Sequence, residues 1–236
     1  MKEKLEIDHT VQTFVRRSKR MTHFQKNAYD LFYSKWCIPF NNDSLNDGLG
    51  HDKFQFSSIF KNENPIIIEI GFGMGDATFQ IAKENPNKNY LCIEVFKAGI
   101  ASLLGKIESE SLKNIRIIEG DAIKILERMI MVHSIEAFHF FFPDPWQKKK
   151  HNKRRFIRRP RTDLLQSKLV VNGYIYVVTD WEEYAYDAYK ELEATPSLKS
   201  MFNGFAPLQP WRPKTKFERK AEKEGREVYE MMFVNE

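Results

Sequence analysis

Pro65-Ile66-Ile67-Ile68-Glu69-Ile70-Gly71-Phe72-Gly73-Met74-Gly75-Asp76 decides the fold. Four isoleucines around a single acid make a nearly continuous apolar run. Strands buried on both faces read this way, whereas half-exposed strands alternate. The run stops at three glycines spaced two apart, and Ala77 to Lys83 then has helical character. Glycines between a strand and a helix let a ligand approach bare backbone. The spacing departs from the dinucleotide fingerprint G-x-G-x-x-G, because Asp76 stands where its last glycine would be.

The same alternation continues outward from this stretch. Apolar runs at Tyr90–Val95, Ile115–Ala122, Ile135–Phe142 and Gly173–Thr179 read as four more strands, the second of these running into a loop. Helical stretches lie between them at Gly99–Glu110, Ile123–Met131 and Arg161–Lys168, and a further helix follows from Glu182 to about Ala194. Such alternation predicts an α/β fold, a doubly wound, mostly parallel sheet with helices on both faces. Pro196–Pro213 reads as a proline-punctuated loop, Thr215-Lys216-Phe217-Glu218 as the start of a charged helix, and Glu227–Val234 as a last strand. Ligands of such sheets sit beyond the carboxyl ends of the strands. Glu94, Asp121, Asp144 and Asp180 all fall at that edge, one after each of four strands.

Residues 65–236 are therefore expected to form a single catalytic domain. Residues 1–40 mix basic and aromatic groups and are expected to form an arm. Its Thr22–Trp36 portion has helical spacing of Phe24, Ala28, Leu31, Phe32 and Trp36, and across the arm the aromatics are expected inward and the arginines outward. Residues 41–64 are rich in Asn, Asp, Ser and Gly and read as a linker or loop, anchored by Phe54, Phe56, Ile59 and Phe60. The two cysteines, Cys37 and Cys92, lack metal-ligand spacing and suit a reducing compartment. The N-terminal Met-Lys-Glu-Lys-Leu-Glu has no signal-peptide core, and no stretch approaches a membrane span. The chain is expected to be cytoplasmic, monomeric, free of membrane and without a metal.

The net charge of +5 conceals clustering. Lys148 to Arg161 carries nine Lys or Arg and no acid, so the other 222 residues sum to −4. Lys2–Lys26 and Arg212–Arg226 each carry seven basic and three acidic residues. Three cationic segments around one pocket suit a polyanion such as RNA.

The acids at the sheet edge define the ligand. Glu94 lies 23 residues beyond Gly71, where an acid can accept both ribose hydroxyls. Glu69 adds negative charge just before the glycine turn, which disfavours a pyrophosphate and favours a cationic or zwitterionic ligand. S-adenosylmethionine, with its sulfonium and ammonium groups, meets that condition. Asp121 is placed to accept from an adenine amino group. These residues favour a Rossmann-like class I methyltransferase pocket over a dinucleotide pocket. Phe140–Arg155 carries the acceptor side. Pro143 and Pro145 flank Asp144 and end the strand. Trp146 is either a stacking platform for a base or a plug over the strand end, and a basic ramp follows. A ring-nitrogen acceptor has a free lone pair and needs no base, so Asp144 would orient it and stabilise the new charge. An amino or hydroxyl acceptor would instead lose a proton to Asp144. His139, alternating with aromatics in a strand, reads as core.

Taken together, Phe-Val-Arg-Arg at 14–17, Glu-Ile-Gly-Phe-Gly-Met-Gly at 69–75, Ile-Glu-Val at 93–95 and Asp-Ala at 121–122 form an ordered set. Phe-Phe-Pro-Asp-Pro-Trp at 141–146, His-Asn-Lys-Arg-Arg at 151–155, Thr-Asp-Trp at 179–181 and Thr-Lys-Phe-Glu at 215–218 complete it. The chain resembles the bacterial tRNA (guanine-N(7)-)-methyltransferase family over essentially its whole length. The resemblance implies S-adenosyl-L-methionine bound by Glu69, Gly71, Gly73, Glu94, Asp121 and Asp144. It implies Asp144 as the catalytic residue and Lys148, Asp180, Thr215, Lys216, Phe217 and Glu218 as substrate-binding. Lys150, His151, Asn152, Lys153, Arg154 and Arg155 would contact RNA. The implied acceptor is the variable-loop guanine, nucleotide 46, of tRNA. Gln147 stands where family members often have His. The acid-dense helix at 182–193 and the loop at 196–210 match no motif. An amino-methyltransferase acting on another base and a non-catalytic RNA-binding module remain as alternatives.

Overall fold

The computed structural model describes residues 6–15, 20–40 and 55–236. Arg16, Arg17, Ser18, Lys19, Phe54 and the rest of the 41–54 stretch lie outside the described residues, so the expectations for them are not addressed.

A seven-stranded sheet runs in the order β3-β2-β1-β4-β5-β7-β6. Its strands are β1 (Ile66–Ile70), β2 (Asn89–Glu94), β3 (Ile115–Glu119), β4 (Ile135–Phe141), β5 (Leu169–Thr179), β6 (Leu198–Ser200) and β7 (Tyr229–Asn235). The first five are parallel, while β7 pairs antiparallel with both β5 and β6. The order reverses between β1 and β4. At such a switch point the following loops diverge to opposite faces and open a crevice.

The helices are α1 (His23–Trp36), α2 (Phe56–Phe60), α3 (Asp76–Glu84), α4 (Lys97–Glu110), α5 (Ala122–Met129), α6 (Arg161–Lys168), α7 (Glu182–Glu193) and α8 (Lys216–Lys223). The sheet separates two apolar cores, one on each face. Ile66 and Ile68 of β1 enter one core and Ile67 the other, which is why this strand needs an unbroken apolar run. No helix among the described residues is long and apolar enough to cross a membrane.

Several boundaries differ from the expectation for physical reasons. β5 begins at Leu169 rather than Gly173, because a register shift at Ile135/Ala137 and the left-handed Asn172 carry the strand through a polar bulge. The proline-rich loop contains the short β6, and the basic run folds as a 3-10 turn, Lys149–Arg154. Helix α1 does not bury every apolar position. Ala28 and Trp36 are buried, but Phe24 is 74% and Leu31 68% exposed. Helix α1 packs on α4 at Gly105, where the edge of the Phe24 ring and Ala28 come within van der Waals reach. Just after α1, the amide of Ile38 donates to Ile117 O at 2.8 Å and covers the open edge of β3. Phe60 is buried, with Phe56 and Ile59 packed against the core, as expected for anchors. His139 is buried in the sheet, its Nε2 3.1 Å from the Tyr174 hydroxyl.

Candidate active site

The glycine turn after β1 is shaped by residues that sequence spacing does not reveal. Gly71, Gly73 and Gly75 have φ of 78°, 59° and 72°, the left-handed region that disfavours side chains. Cβ atoms at Gly71 and Gly73 would meet open space, so this backbone faces the crevice. Behind the turn lies α4. A Cβ on Gly99 would sit 1.9 Å from Gly73 O, so α4 carries glycine where the turn presses on it. Lys106 of α4 donates to Met74 O at 2.9 Å and braces the same turn. Gly99 and Lys106 were not among the expected site residues. The available signal was a glycine near the start of a helix, which is costly there and marks close backbone approach.

Glu94, at the end of β2, accepts from the amide of Gly73 (2.9 Å) through one oxygen. Its other oxygen accepts from Val95 (2.7 Å) and Phe96 (3.0 Å). Burial raises its pKa; the three amides act in the opposite direction without cancelling this, and the charge of Asp144 adds to it. Glu69 is 3% exposed, and burial pushes its carboxyl up to about 8, the Glu94 charge acting in the same direction. Burial thus biases both carboxyls at the floor of the crevice toward their protonated forms.

Asp144 is exposed on the opposite wall, in the loop leaving β4. The residues bracketing it are strained. Phe142 and Trp146 both take positive φ, 54° and 48°. Non-glycine residues pay of order 1–3 kcal/mol for such backbone and keep it only where their surroundings over-determine it. The Arg154 guanidinium lies 3.7 Å above the Trp146 ring, and His151 meets it edge-on. One face of the Trp146 ring is thus covered, and its Nε1 is buried without an acceptor.

These walls enclose a cavity of about 490 Å³. Glu69, Gly71, Gly73, Glu94, Asp144, Asp180, Thr215, Lys216 and Phe217 all line it. Phe217 stacks on Phe142, with centroids 5.9 Å apart. Asp180 is paired with Arg226 at 2.9 Å. Lys214, Arg219 and Lys220 add cations to the α8 side. Thr13, Phe14 and Val15 of the arm close another side, tied by Arg154 to Gln12 O (2.7 Å) and Phe14 O (2.9 Å).

Other expected residues stand outside that lining. Asp121 is the N-cap of α5, accepting from Ile123 N at 2.9 Å, with its neighbours Gly120 and Ala122 in the wall. Lys148 is exposed just ahead of the 3-10 turn. Glu218 requires correction. It is 5% exposed and bound by both terminal nitrogens of Arg212, one at 3.1 Å, so it anchors α8 instead of facing substrate. Arg212 also binds Glu230 of β7 at 2.7 Å, which fastens α8 to the sheet. Arg155 requires the second correction. It is 1% exposed, and its guanidinium is consumed by Pro145 O, Glu183 and Asp187, so it cannot meet RNA phosphate. Lys150 and Lys153 are exposed, while His151, Asn152 and Arg154 are half-buried.

Comparison with known proteins supplies the family. The Methyltransf_4 model, described as "Putative methyltransferase", matches residues 63–231. The tRNA (guanine-N(7)-)-methyltransferase of Treponema pallidum strain Nichols is 44% identical over 250 residues, spanning 95% of each chain. The chain belongs to the tRNA (guanine-N(7)-)-methyltransferase family. The member from Francisella philomiragia is 40% identical over 94% of each chain. Among solved structures, the 16S rRNA methyltransferase KamB superposes with a TM-score of 0.56 at 12% identity, covering 85% of this chain and 98% of that one. That likeness shows the Rossmann-like class I methyltransferase fold.

Proposed function

We propose that this chain transfers a methyl group from S-adenosyl-L-methionine to N(7) of guanine 46 in the variable loop of tRNA. The observation that carries this reading is the β1/β4 crevice. There an open glycine turn, two buried carboxylates and the exposed Asp144 converge under a cationic rim.

The cavity residues fit the cofactor. Glu94 holds ribose hydroxyls, the bare backbone at Gly71 and Gly73 admits the ligand, and protonated Glu69 ionises beside a cation. Asp121, between the lining residues Gly120 and Ala122, takes the adenine amino group. Bound there, S-adenosylmethionine supplies an electrophilic methyl on a positively charged sulfur. Guanine N(7) carries an in-plane lone pair and no proton, so Asp144 need not act as a base. Its carboxylate orients guanine by accepting hydrogen bonds and stabilises the positive charge that develops on the purine. Phe217 and Phe142 offer an aromatic face beside it. Lys216, Asp180 and Thr215 border the acceptor side, and Lys148, Lys150 and Lys153 hold phosphates without reading sequence. Residues 65–236 act as the catalytic domain, residues 1–40 as an arm against it and residues 41–64 as the connecting linker.

The test incubates the protein with labelled S-adenosylmethionine and unmodified tRNA. Mild alkali and aniline then cleave at 7-methylguanosine. Cleavage at position 46 is expected. Label in an adenine amino group would favour the amino-methyltransferase alternative, and no label with folded protein and tRNA would overturn the reading.

A further inference from the structure

The acid-dense helix α7 matches no motif, and the cationic run from Lys148 to Arg161 is too long for one purpose. The structure connects the two. Glu183 and Asp187 lie one turn apart on α7 and both bind Arg155, at 3.1 and 2.9 Å. One turn further on, Glu191 accepts from the Arg159 amide at 2.9 Å and lies 3.8 Å from Arg158. In the second half of the basic run, Arg155 and Arg158 are thus paired with α7 and Arg159 with Asp163 of α6. Among the described residues, Lys148, Lys149, Lys150 and Lys153 of the first half form no ion pair and are exposed.

Arg155 does more than pair. Its Nε donates to Pro145 O at 2.9 Å, the carbonyl next after Asp144. The guanidinium lies over the Tyr184 ring, 5.2 Å from its centroid. A planar fork holds its acceptors in fixed directions, whereas an ammonium is a point charge on a flexible stem whose three donors rotate. The carbonyl it holds belongs to the segment bracketed by the strained Phe142 and Trp146. Strain of that kind persists only under outside restraint.

We propose that Arg155 is a positioning residue for Asp144, held from behind by the Glu183 and Asp187 carboxylates of α7. It locks the Pro143–Trp146 loop so that Asp144 faces the glycine turn. The reading rests on the methyl-transfer function of the same crevice.

The test compares Arg155→Lys with Glu183→Gln/Asp187→Asn, a pair approaching from the solvent side of α7. Misplacing a catalytic group by about 1 Å can cost on the order of a hundredfold in rate, so kcat should fall tenfold or more in R155K. KM for tRNA, its salt dependence and cofactor affinity should stay within about twofold. The α7 pair should lower kcat in the same direction. Combined with R155K it should add little, because both act through one contact. Amide exchange at Trp146 and Gln147 should accelerate in R155K, a readout that needs neither tRNA nor catalysis and so separates this proposal from the assigned reaction. The proposal is overturned if R155K keeps its kcat, or if Arg155→Gln keeps its kcat and instead loses about one unit of salt slope, the signature of a phosphate contact. It is equally overturned if the α7 pair leaves kcat and the exchange of the loop at wild-type values.

Discussion

Replacing Gly99 by alanine puts a methyl carbon 1.9 Å from the carbonyl oxygen of Gly73. The gap must open by about 1.1 Å to reach even 3.0 Å, below which real Cβ contacts essentially never occur. Helix α4 cannot retreat, because Ile100, Ala101, Leu103, Leu104 and Ile107 are all fully buried. The glycine turn must give way instead, and it faces the open crevice. Its movement stretches the Gly73 amide away from Glu94, so the proposed cofactor site deforms. Overpacking of this size costs typically about 1–3 kcal/mol. Alanine in an unobstructed helix would do the reverse, gaining up to about 1 kcal/mol over glycine. The sign of the change is therefore diagnostic. For a chain of this length each kcal/mol moves Tm by about 2–4 °C, so G99A should melt several degrees lower. If about 1.4 kcal/mol of the cost is released from the turn on the cofactor side, affinity falls tenfold. Calorimetric titration with S-adenosylhomocysteine and a thermal melt measure both. A G99A protein with unchanged or raised Tm and wild-type affinity would refute the idea that α4 sets the turn.

Glu69 gives a pH signature of unusual sign. Its folded pKa of about 8 exceeds the ordinary 4.5, so the folded state retains a proton the unfolded chain has lost across that window. Stability contributed by this group falls by roughly 1.4 kcal/mol per pH unit between those values and levels off above the upper one. Glu69→Gln should thus gain stability over wild type as pH rises from 5 to 8, read by denaturant melts, and a pH-independent difference would remove the assignment. Cofactor binding near pH 7 should release close to one proton from wild type and none from E69Q, measured by calorimetry in buffers of different ionisation enthalpy. Asp144→Asn should lower kcat by a hundredfold or more with Tm and cofactor affinity nearly unchanged; retained activity would leave Asp144 a loop residue. Lys150→Ala and Lys153→Ala should each reduce the salt slope of tRNA binding by about one, with kcat at saturating tRNA preserved.

The parallel strands were legible because isoleucine runs buried on two faces have few other readings. The acids at the carboxyl edge were legible because a doubly wound sheet assigns every strand-end residue to one rim. What the sequence concealed was partnership across long separations. Arg155 and Lys153 look alike in a basic run, yet one is buried against α7 and the other is exposed. Glu218 sits inside a motif at the pocket and turns away to Arg212, because a helix with Thr215 and Phe217 on the cavity points its next residue elsewhere. Backbone strain at Phe142 and Trp146 was hinted at only by the flanking prolines. Helix α1 leaves Phe24 and Leu31 exposed, since helical spacing reports an apolar stripe and not the width of the surface available to cover it.

Presentation of guanine N(7) to the methyl donor by this crevice is tested most directly with tRNA carrying 7-deazaguanosine at position 46, which replaces only the acceptor nitrogen by carbon. Full methyl transfer to the unmodified control and none to the deaza tRNA is the predicted result, with both binding equally well. Stoichiometric labelling of the deaza tRNA would contradict it.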